Sequence, residues 1–80
     1  MSVLSERITL LRKEKGISVK QAGFEMGLDY KYLLALESCE KKPELDELEL
    51  LESYYNTTID YLVGSVDEPQ AINMKVINQR

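Results

Sequence analysis

The sequence lacks histidine altogether and contains a single cysteine, Cys39. Without histidine, a zinc site that uses imidazole ligands and a His-based catalytic triad are both excluded. One cysteine can form neither an internal disulfide nor a cysteine-rich metal site. No motif places a nucleophile beside a base, so we expect no enzyme activity, no metal and no cofactor.

Long apolar runs are also lacking. No stretch approaches the length of a membrane span, and residues 1–10 lack the pattern of a signal peptide. We therefore expect no membrane partner and a reducing, cytoplasmic location. Eighty residues, of which 44% are hydrophobic and 30% charged, predict one globular domain with a small core.

Positive charge is scarce overall but unevenly distributed. The formal net charge is −4, which argues against nucleic-acid binding when taken as a whole-molecule number. Up to Lys42 there are eight Lys or Arg against six Asp or Glu, whereas from Pro43 onward there are two against eight. A mildly basic front half is compatible with one face that meets phosphates.

The periodicity of apolar residues predicts helices on both sides of a central stretch. A first helix over about Val3 to Lys15 has its apolar stripe at Leu4, Ile8 and Leu11, and Gly16 ends it.

Two further helices are predicted after residue 42. Pro43 is predicted to begin a fourth helix, because proline fits a first helical turn. Thr58 is predicted to cap a short fifth helix that Gly64 closes. The predicted inward-facing residues of these two helices are Leu45, Leu48, Leu51, Tyr55, Ile59, Leu62 and Val63.

The central stretch, residues 18–37, predicts two short helices joined by a tight turn. Ser18 followed by Gln21 is the reciprocal capping signature of a helix start. Gly27 ends this helix, since only glycine adopts the left-handed conformation there without a steric penalty. Asp29 caps the next helix. The predicted inner residues are Ala22, Met26, Leu28, Leu33, Leu36 and Tyr32. Such a helix-turn-helix normally places its second helix in a DNA major groove.

Residues 65–80 differ in kind from residues 1–64, which form the predicted domain. Ile72, Met74 and Val76 alternate with their neighbours, a period-two pattern that predicts a short strand over about Ala71 to Ile77. A single strand cannot satisfy its own backbone, so it must pair, fray or extend into a partner subunit.

The order of helices and turns resembles the lambda-repressor and Cro-like (XRE-type) helix-turn-helix family from about Ser5 to Gly64. The matching pieces are I-x-x-L-R-K-E-K from Ile8 to Lys15, Gly16-Ile17-Ser18, Met26-Gly27-Leu28, Tyr32-Leu33, Leu36-Glu37, Lys42-Pro43 and Ile59 to Gly64. The resemblance implies an all-α, compact five-helix lambda-repressor-like DNA-binding domain and an internal ion pair between Arg12 and Glu37. The alternation of Ile72, Met74 and Val76 adds the expectation of a short C-terminal strand or arm used for dimerisation, as in some Cro-like relatives.

The sequence departs from the family pattern on the surface that would read DNA. Val19 stands where a phosphate-bridging Gln is usual, and Cys39 replaces the usual turn glycine, which predicts a strained or differently shaped loop. Ala22-Gly23 replaces Leu-Ala, so Phe24 or Met26 is expected to supply the lost volume. Asp29, Leu34 and Ala35 replace residues that usually donate to phosphates or bases.

Eight residues are candidates for DNA contact. Seven of them lie on the second motif helix or flank it, Tyr30, Lys31, Leu34, Ala35, Lys20, Lys41 and Lys42, and the eighth, Arg12, lies in the last turn of the first helix. Lys31 could bind a phosphate or the O6/N7 edge of guanine, or remain solvated. Tyr30 could bond a phosphate, pack on a thymine methyl, or pack against the turn. The remaining lysines suit phosphate contact, and a solvated charge run explains them equally well.

Two classes of function remain open. The first is a sequence-specific DNA-binding transcriptional regulator of the phage-repressor or plasmid-control kind, which binds an operator in double-stranded DNA as a homodimer. The alternative is a helix-turn-helix fold used to bind a protein partner, with little or no DNA binding. The acidic balance and the apolar residues Leu34 and Ala35 favour the alternative.

Overall fold

The computed structural model describes residues 2–68, and these residues form five helices and no strand. The helices are α1 (Val3–Lys15), α2 (Val19–Met26), α3 (Tyr30–Glu37), α4 (Leu45–Tyr55) and α5 (Ile59–Leu62). The all-α, five-helix prediction is confirmed. The predicted strand, with Ile72, Met74 and Val76, lies outside the described residues.

The helix-turn-helix forms through the local signals that its sequence carries. The Ser18 hydroxyl accepts from the backbone N–H of Gln21 at 3.0 Å, and Gly27 ends α2 in the left-handed conformation with φ +75°. The Asp29 carboxylate accepts from the N–H of Lys31 at 2.9 Å and so caps α3. Only the Ser18 half of the capping pair is formed, and the Gln21 amide nitrogen donates to Glu25 at 2.7 Å.

One core lies between the helices, and α3 packs on both α1 and α2. Its buried apolar residues are Ile8, Leu11, Ala22, Met26, Leu33, Leu36, Leu51, Tyr55, Tyr61 and Leu62. Met26 is buried whereas Phe24 is 82% exposed, so of the two residues expected to replace lost volume only Met26 enters the core.

The predicted start of the fourth helix is wrong by two residues. Helix α4 begins at Leu45 with Glu44 as its N-cap, and the Glu44 N–H donates to the Glu47 carboxylate at 2.7 Å. This bond fixes the helix start after Pro43. Leu45, predicted as buried, is the first helical residue and is 63% exposed. Val63, also predicted to face inward, follows the last turn of α5 and is half exposed.

The loop after α3 holds Cys39 in the left-handed region, with φ +69°. A side chain in this region costs about 1–2 kcal/mol. The Cys39 sulfur also lies 3.0 Å from the Ser5 hydroxyl and accepts from the Ser2 N–H at 3.2 Å. These hydrogen bonds lower the pKa of the Cys39 thiol, and the bond with Ser5 has the largest effect. Of the two loop shapes predicted from the sequence, strained or differently built, the positive φ of Cys39 shows the strained one.

Replacing Cys39 by Gly is expected to give a protein about 1 kcal/mol more stable than replacing it by Ala, because only glycine relieves the left-handed strain. Both variants lose the same sulfur contacts, so their difference isolates the backbone effect. Urea unfolding of the two variants measures it. Equal midpoints would contradict this expectation and show that the relief of strain is no larger than the extra conformational entropy that glycine loses on folding.

Candidate nucleic-acid interface

The outer surface of α3 carries four of the candidate residues, and its N-terminus is exposed. Lys31 is exposed, Leu34 is 50% exposed, and Tyr30 and Ala35 are half buried. Because Asp29 accepts the Lys31 N–H, its carboxylate is engaged as a helix cap at the point where α3 begins. The surface offers one cation, one phenol and apolar side chains.

Lys20 on α2 joins this surface through Tyr30. Its ammonium lies 5.2 Å from the centre of the Tyr30 ring, within range of a cation–π contact. The contact places one positive charge beside the start of α3 and orients the Tyr30 ring. Sequence reasoning identified both residues but not their contact, which depends on how α2 packs on α3.

Gly23 is a residue of this region that the sequence analysis did not assign to the site. A Cβ on Gly23 would lie 2.9 Å from the Leu28 carbonyl oxygen, 3.1 Å from the Tyr30 Cα and 3.2 Å from the Tyr30 Cβ. The absence of a side chain therefore permits the first turn of α3 to approach α2. The signal in the sequence was the Ala22-Gly23 departure from Leu-Ala.

Arg12 lies apart from this exposed surface, in the interior. Its Nε donates to Glu37 at 2.7 Å, its Nη2 donates to the other Glu37 oxygen at 3.1 Å, and its Nη1 donates to the Ile17 carbonyl at 2.8 Å. The structure thus brings Arg12 and Glu37 together as an ion pair. A guanidinium with these partners is not available to a phosphate.

Lys41 and Lys42 are exposed in the loop that follows α3. The N–H groups of Glu40 and Lys41 both donate to the Ala35 carbonyl and close the end of the helix. Lys41 and Lys42 line a groove whose other lining residues include the start of α1, Leu48 of α4 and Val63, which follows α5. They therefore follow the C-terminal end of α3, whereas Lys20 and Tyr30 mark its beginning.

A polar cluster fixes the other side of α2 to α4. The Tyr54 hydroxyl and the Gln21 amide both donate to Glu25, and the Lys15 ammonium lies 4.8 Å from the Tyr54 ring centre. The two hydrogen bonds lower the pKa of Glu25, and the bond from Tyr54 has the larger effect. Partial burial of the Tyr54 hydroxyl, followed by its hydrogen bond to Glu25, raises the pKa of Tyr54 to about 12. The cluster links α2, the helix that carries Lys20, to α4 through exposed side chains.

Comparison with known proteins identifies the class. A family model described as helix-turn-helix matches residues 8–62, and the chain belongs to this XRE-type helix-turn-helix family. It is 31% identical over 64 residues to a Bacillus subtilis (strain 168) protein named as an uncharacterized HTH-type transcriptional regulator, YobD. The match covers 80% of this chain and 57% of that relative's length. No solved structure matches the chain significantly.

None of the helices within residues 2–68 combines the length and apolar character that crossing a bilayer requires.

Proposed function

We propose that this protein is a sequence-specific DNA-binding transcriptional regulator, phage-repressor or Cro-like, that reads the major groove with α3 and binds its operator as a dimer. The supporting observation is the exposed, capped start of α3, where Tyr30 and Lys31 lie beside Lys20. Helix-turn-helix proteins contact bases from the N-terminal part of the second motif helix. The relative's name as a transcriptional regulator agrees with this function.

Lys31 and the apolar residues have distinct roles in this proposal. Lys31 binds a phosphate or the O6/N7 edge of guanine, and Leu34 and Ala35 contact thymine methyl groups. Lys20, Lys41 and Lys42 bind phosphates. With few cations in reach, the salt dependence is shallow, since each neutralised phosphate adds roughly 0.9 to the log–log slope. We therefore expect an AT-rich operator and a large contribution from dimerisation. Arg12 is excluded from this set, because Glu37 and Ile17 occupy its guanidinium.

Selection of bound sequences from a random DNA pool tests the proposal. Lys31→Ala is expected to lower affinity for the selected site by roughly tenfold and to reduce its preference over random DNA, since a good base contact contributes about 1–3 kcal/mol of discrimination. Lys42→Ala should weaken binding to all DNA sequences about equally. Lys13→Ala, which removes an exposed lysine from α1, is the matched control. It should change neither the affinity for the selected site nor the preference over random DNA. A pool that yields no enriched motif would contradict the proposal.

The second candidate function is a protein-binding module. Phe24 and Leu34 are large apolar residues that are respectively 82% and 50% exposed on the two motif helices, and the net charge is −4. Retention on heparin or nonspecific DNA at low salt separates the two candidates. A DNA-binding protein is retained and released by salt, whereas a protein-binding module passes through.

A further inference from the structure

An apolar groove of about 740 Å³ lies between the start of α1, the loop from α3 to α4, the middle of α4 and the residue that follows α5. Its apolar lining residues are Val3, Leu4, Pro43, Leu48 and Val63. Val3 and Val63 are 44% and 48% exposed, so part of this apolar lining is open to a ligand. Pockets of about 300–1,000 Å³ that are mostly apolar and carry a few polar groups are typical of small-molecule sites.

Two lysines give the groove a positive charge. Lys41 and Lys42 are exposed and line it, and no carboxylate is among the described residues that line it. The ion pairs within residues 2–68 join other side chains, so both ammonium groups are available to an anion. This positive charge is local, because the formal net charge of the chain is −4. The groove therefore combines an apolar lining with two cations that attract a negatively charged ligand.

A hydrocarbon tail with an anionic head matches this combination better than an extended peptide does. The groove is lined by helices and a loop, and residues 2–68 contain no strand. An extended peptide would therefore find no strand edge for its backbone N–H and C=O groups. A hydrocarbon tail has no such groups, and its burial is favoured by the hydrophobic effect alone. A carboxylate head accepts charge-assisted hydrogen bonds from lysine ammonium groups.

We propose that the groove binds a small anionic amphiphile, a free carboxylic acid with a hydrocarbon tail, whose carboxylate pairs with Lys41 and Lys42. Because the same lysines bind phosphates in the proposed function, the ligand and DNA compete for them, and this competition rests on the proposed function. The two lysines directly follow α3, since the Lys41 N–H donates to the Ala35 carbonyl at 3.3 Å. The ligand therefore acts as an inducer that releases the protein from DNA.

Calorimetric titration of the full-length protein with decanoate, below its micelle concentration, tests the binding without DNA. Decyltrimethylammonium has the same tail with a cationic head, and acetate has the same head with no tail. Decanoate is expected to bind, whereas the other two are not. Equal affinity for decanoate and decyltrimethylammonium would show a nonspecific apolar surface and would overturn the proposal, as would no binding of decanoate.

Val63→Asn and Val66→Asn are matched variants for this titration. The two valines are 48% and 43% exposed, and of the two only Val63 lines the groove. Val63→Asn is expected to weaken decanoate binding roughly fivefold, because the tail loses an apolar contact, whereas Val66→Asn leaves it unchanged. Equal effects of the two variants would contradict binding in the groove. Thermal unfolding followed by circular dichroism confirms that both variants are folded.

The head group is tested with a second pair of variants. Lys41→Gln is expected to weaken decanoate binding roughly two- to fivefold, the range for an exposed ion pair. Lys13→Gln removes an exposed lysine of α1 that does not line the groove, and it should leave the affinity unchanged. Equal affinities of the two variants would contradict the assigned position of the carboxylate.

Cys39 reports where decanoate binds, because it is the sole cysteine of the sequence and lines the groove. At a decanoate concentration about ten times the dissociation constant, mass action leaves about a tenth of the grooves empty, so alkylation by iodoacetamide should be about tenfold slower. Unchanged alkylation would place decanoate elsewhere on the protein. Alkylation that is already slow without decanoate, and is not slowed further, would show that another part of the protein fills the groove. Either result overturns the proposal.

Competition is measured with the operator selected from random DNA. Saturating decanoate is expected to lower the affinity for this operator and to reduce the log–log salt slope by roughly 0.9 for each lysine that it occupies. By linkage, the operator should weaken decanoate binding by the same factor. Unchanged operator affinity would overturn the competition. A pool that yields no operator contradicts the proposed function instead, and the titrations without DNA then decide whether the groove binds the amphiphile.

Discussion

Replacing Glu37 by Leu is expected to lower the free energy of unfolding by about 3–5 kcal/mol, because the substitution leaves Arg12 buried without its anionic partner. The side chains of Arg12 and Glu37 are only 15% and 9% exposed. Their two hydrogen bonds, at 2.7 and 3.1 Å, are bidentate. The Glu37 bond is also the main reason that the pKa of Arg12 is raised. A guanidinium remains protonated in proteins even without a carboxylate partner, so the substitution leaves a cation with no counter-charge.

A double-mutant cycle with Arg12→Met and Glu37→Leu measures the coupling. The double variant is expected to be more stable than Glu37→Leu alone, since it removes both charges and leaves apolar side chains of similar size. The coupling energy should be well above the ~0.5 kcal/mol expected of an exposed pair.

The ion pair between Arg7 and Asp67 supplies the control, because Asp67 is exposed. Asp67→Ala should change stability by less than about 1 kcal/mol. Additive effects of the Arg12 and Glu37 substitutions in urea unfolding would contradict the assignment of a buried, coupled pair.

The fold could be predicted from the sequence because the residues that begin and end its helices act locally. Ser18, Asp29 and Gly27 act on backbone groups within four residues of themselves, so their roles as caps follow from residue type and spacing. Burial at helix ends does not follow in the same way. Periodicity gives the face on which Leu45 and Val63 lie, but whether another helix covers that face depends on where neighbouring helices end.

The candidate site was less predictable for the same reason. That Lys31 and Leu34 lie on the outer face of α3 follows from helical spacing around Leu33 and Leu36. The contact of Lys20 with Tyr30 and the groove that contains Cys39 join residues from different helices. Such distances depend on the packing of whole elements, which local patterns do not specify. The pairing of Arg12 with Glu37 is equally long-range, and only the family resemblance implied it.

Gly23→Ala is expected to destabilise the protein by about 1–3 kcal/mol, although alanine is the better helix former by about 1 kcal/mol. The added Cβ would lie 2.9 Å from the Leu28 carbonyl oxygen and 3.1 Å from the Tyr30 Cα. Both are backbone atoms that cannot rotate away, so relief requires the turn and the start of α3 to move. Urea unfolding measures the loss. Phe24→Ala is the control, because the neighbouring Phe24 side chain is 82% exposed and its removal should cost less than about 0.5 kcal/mol.

Gly23→Ala also tests whether residue 23 sets the position of α3 relative to α2, as distinct from whether α3 forms at all. If Gly23 sets how closely α3 approaches α2, then Gly23→Ala should shift the amide NMR signals of Tyr30 and Lys31 more than those of Leu51 in the core. It should also weaken binding to the selected operator under conditions where the variant is fully folded, because Lys20 and Tyr30 are carried by the two helices that separate. A variant with unchanged signals and greater stability would show that α3 tolerates a side chain at residue 23, and that the Ala22-Gly23 departure does not position the helix.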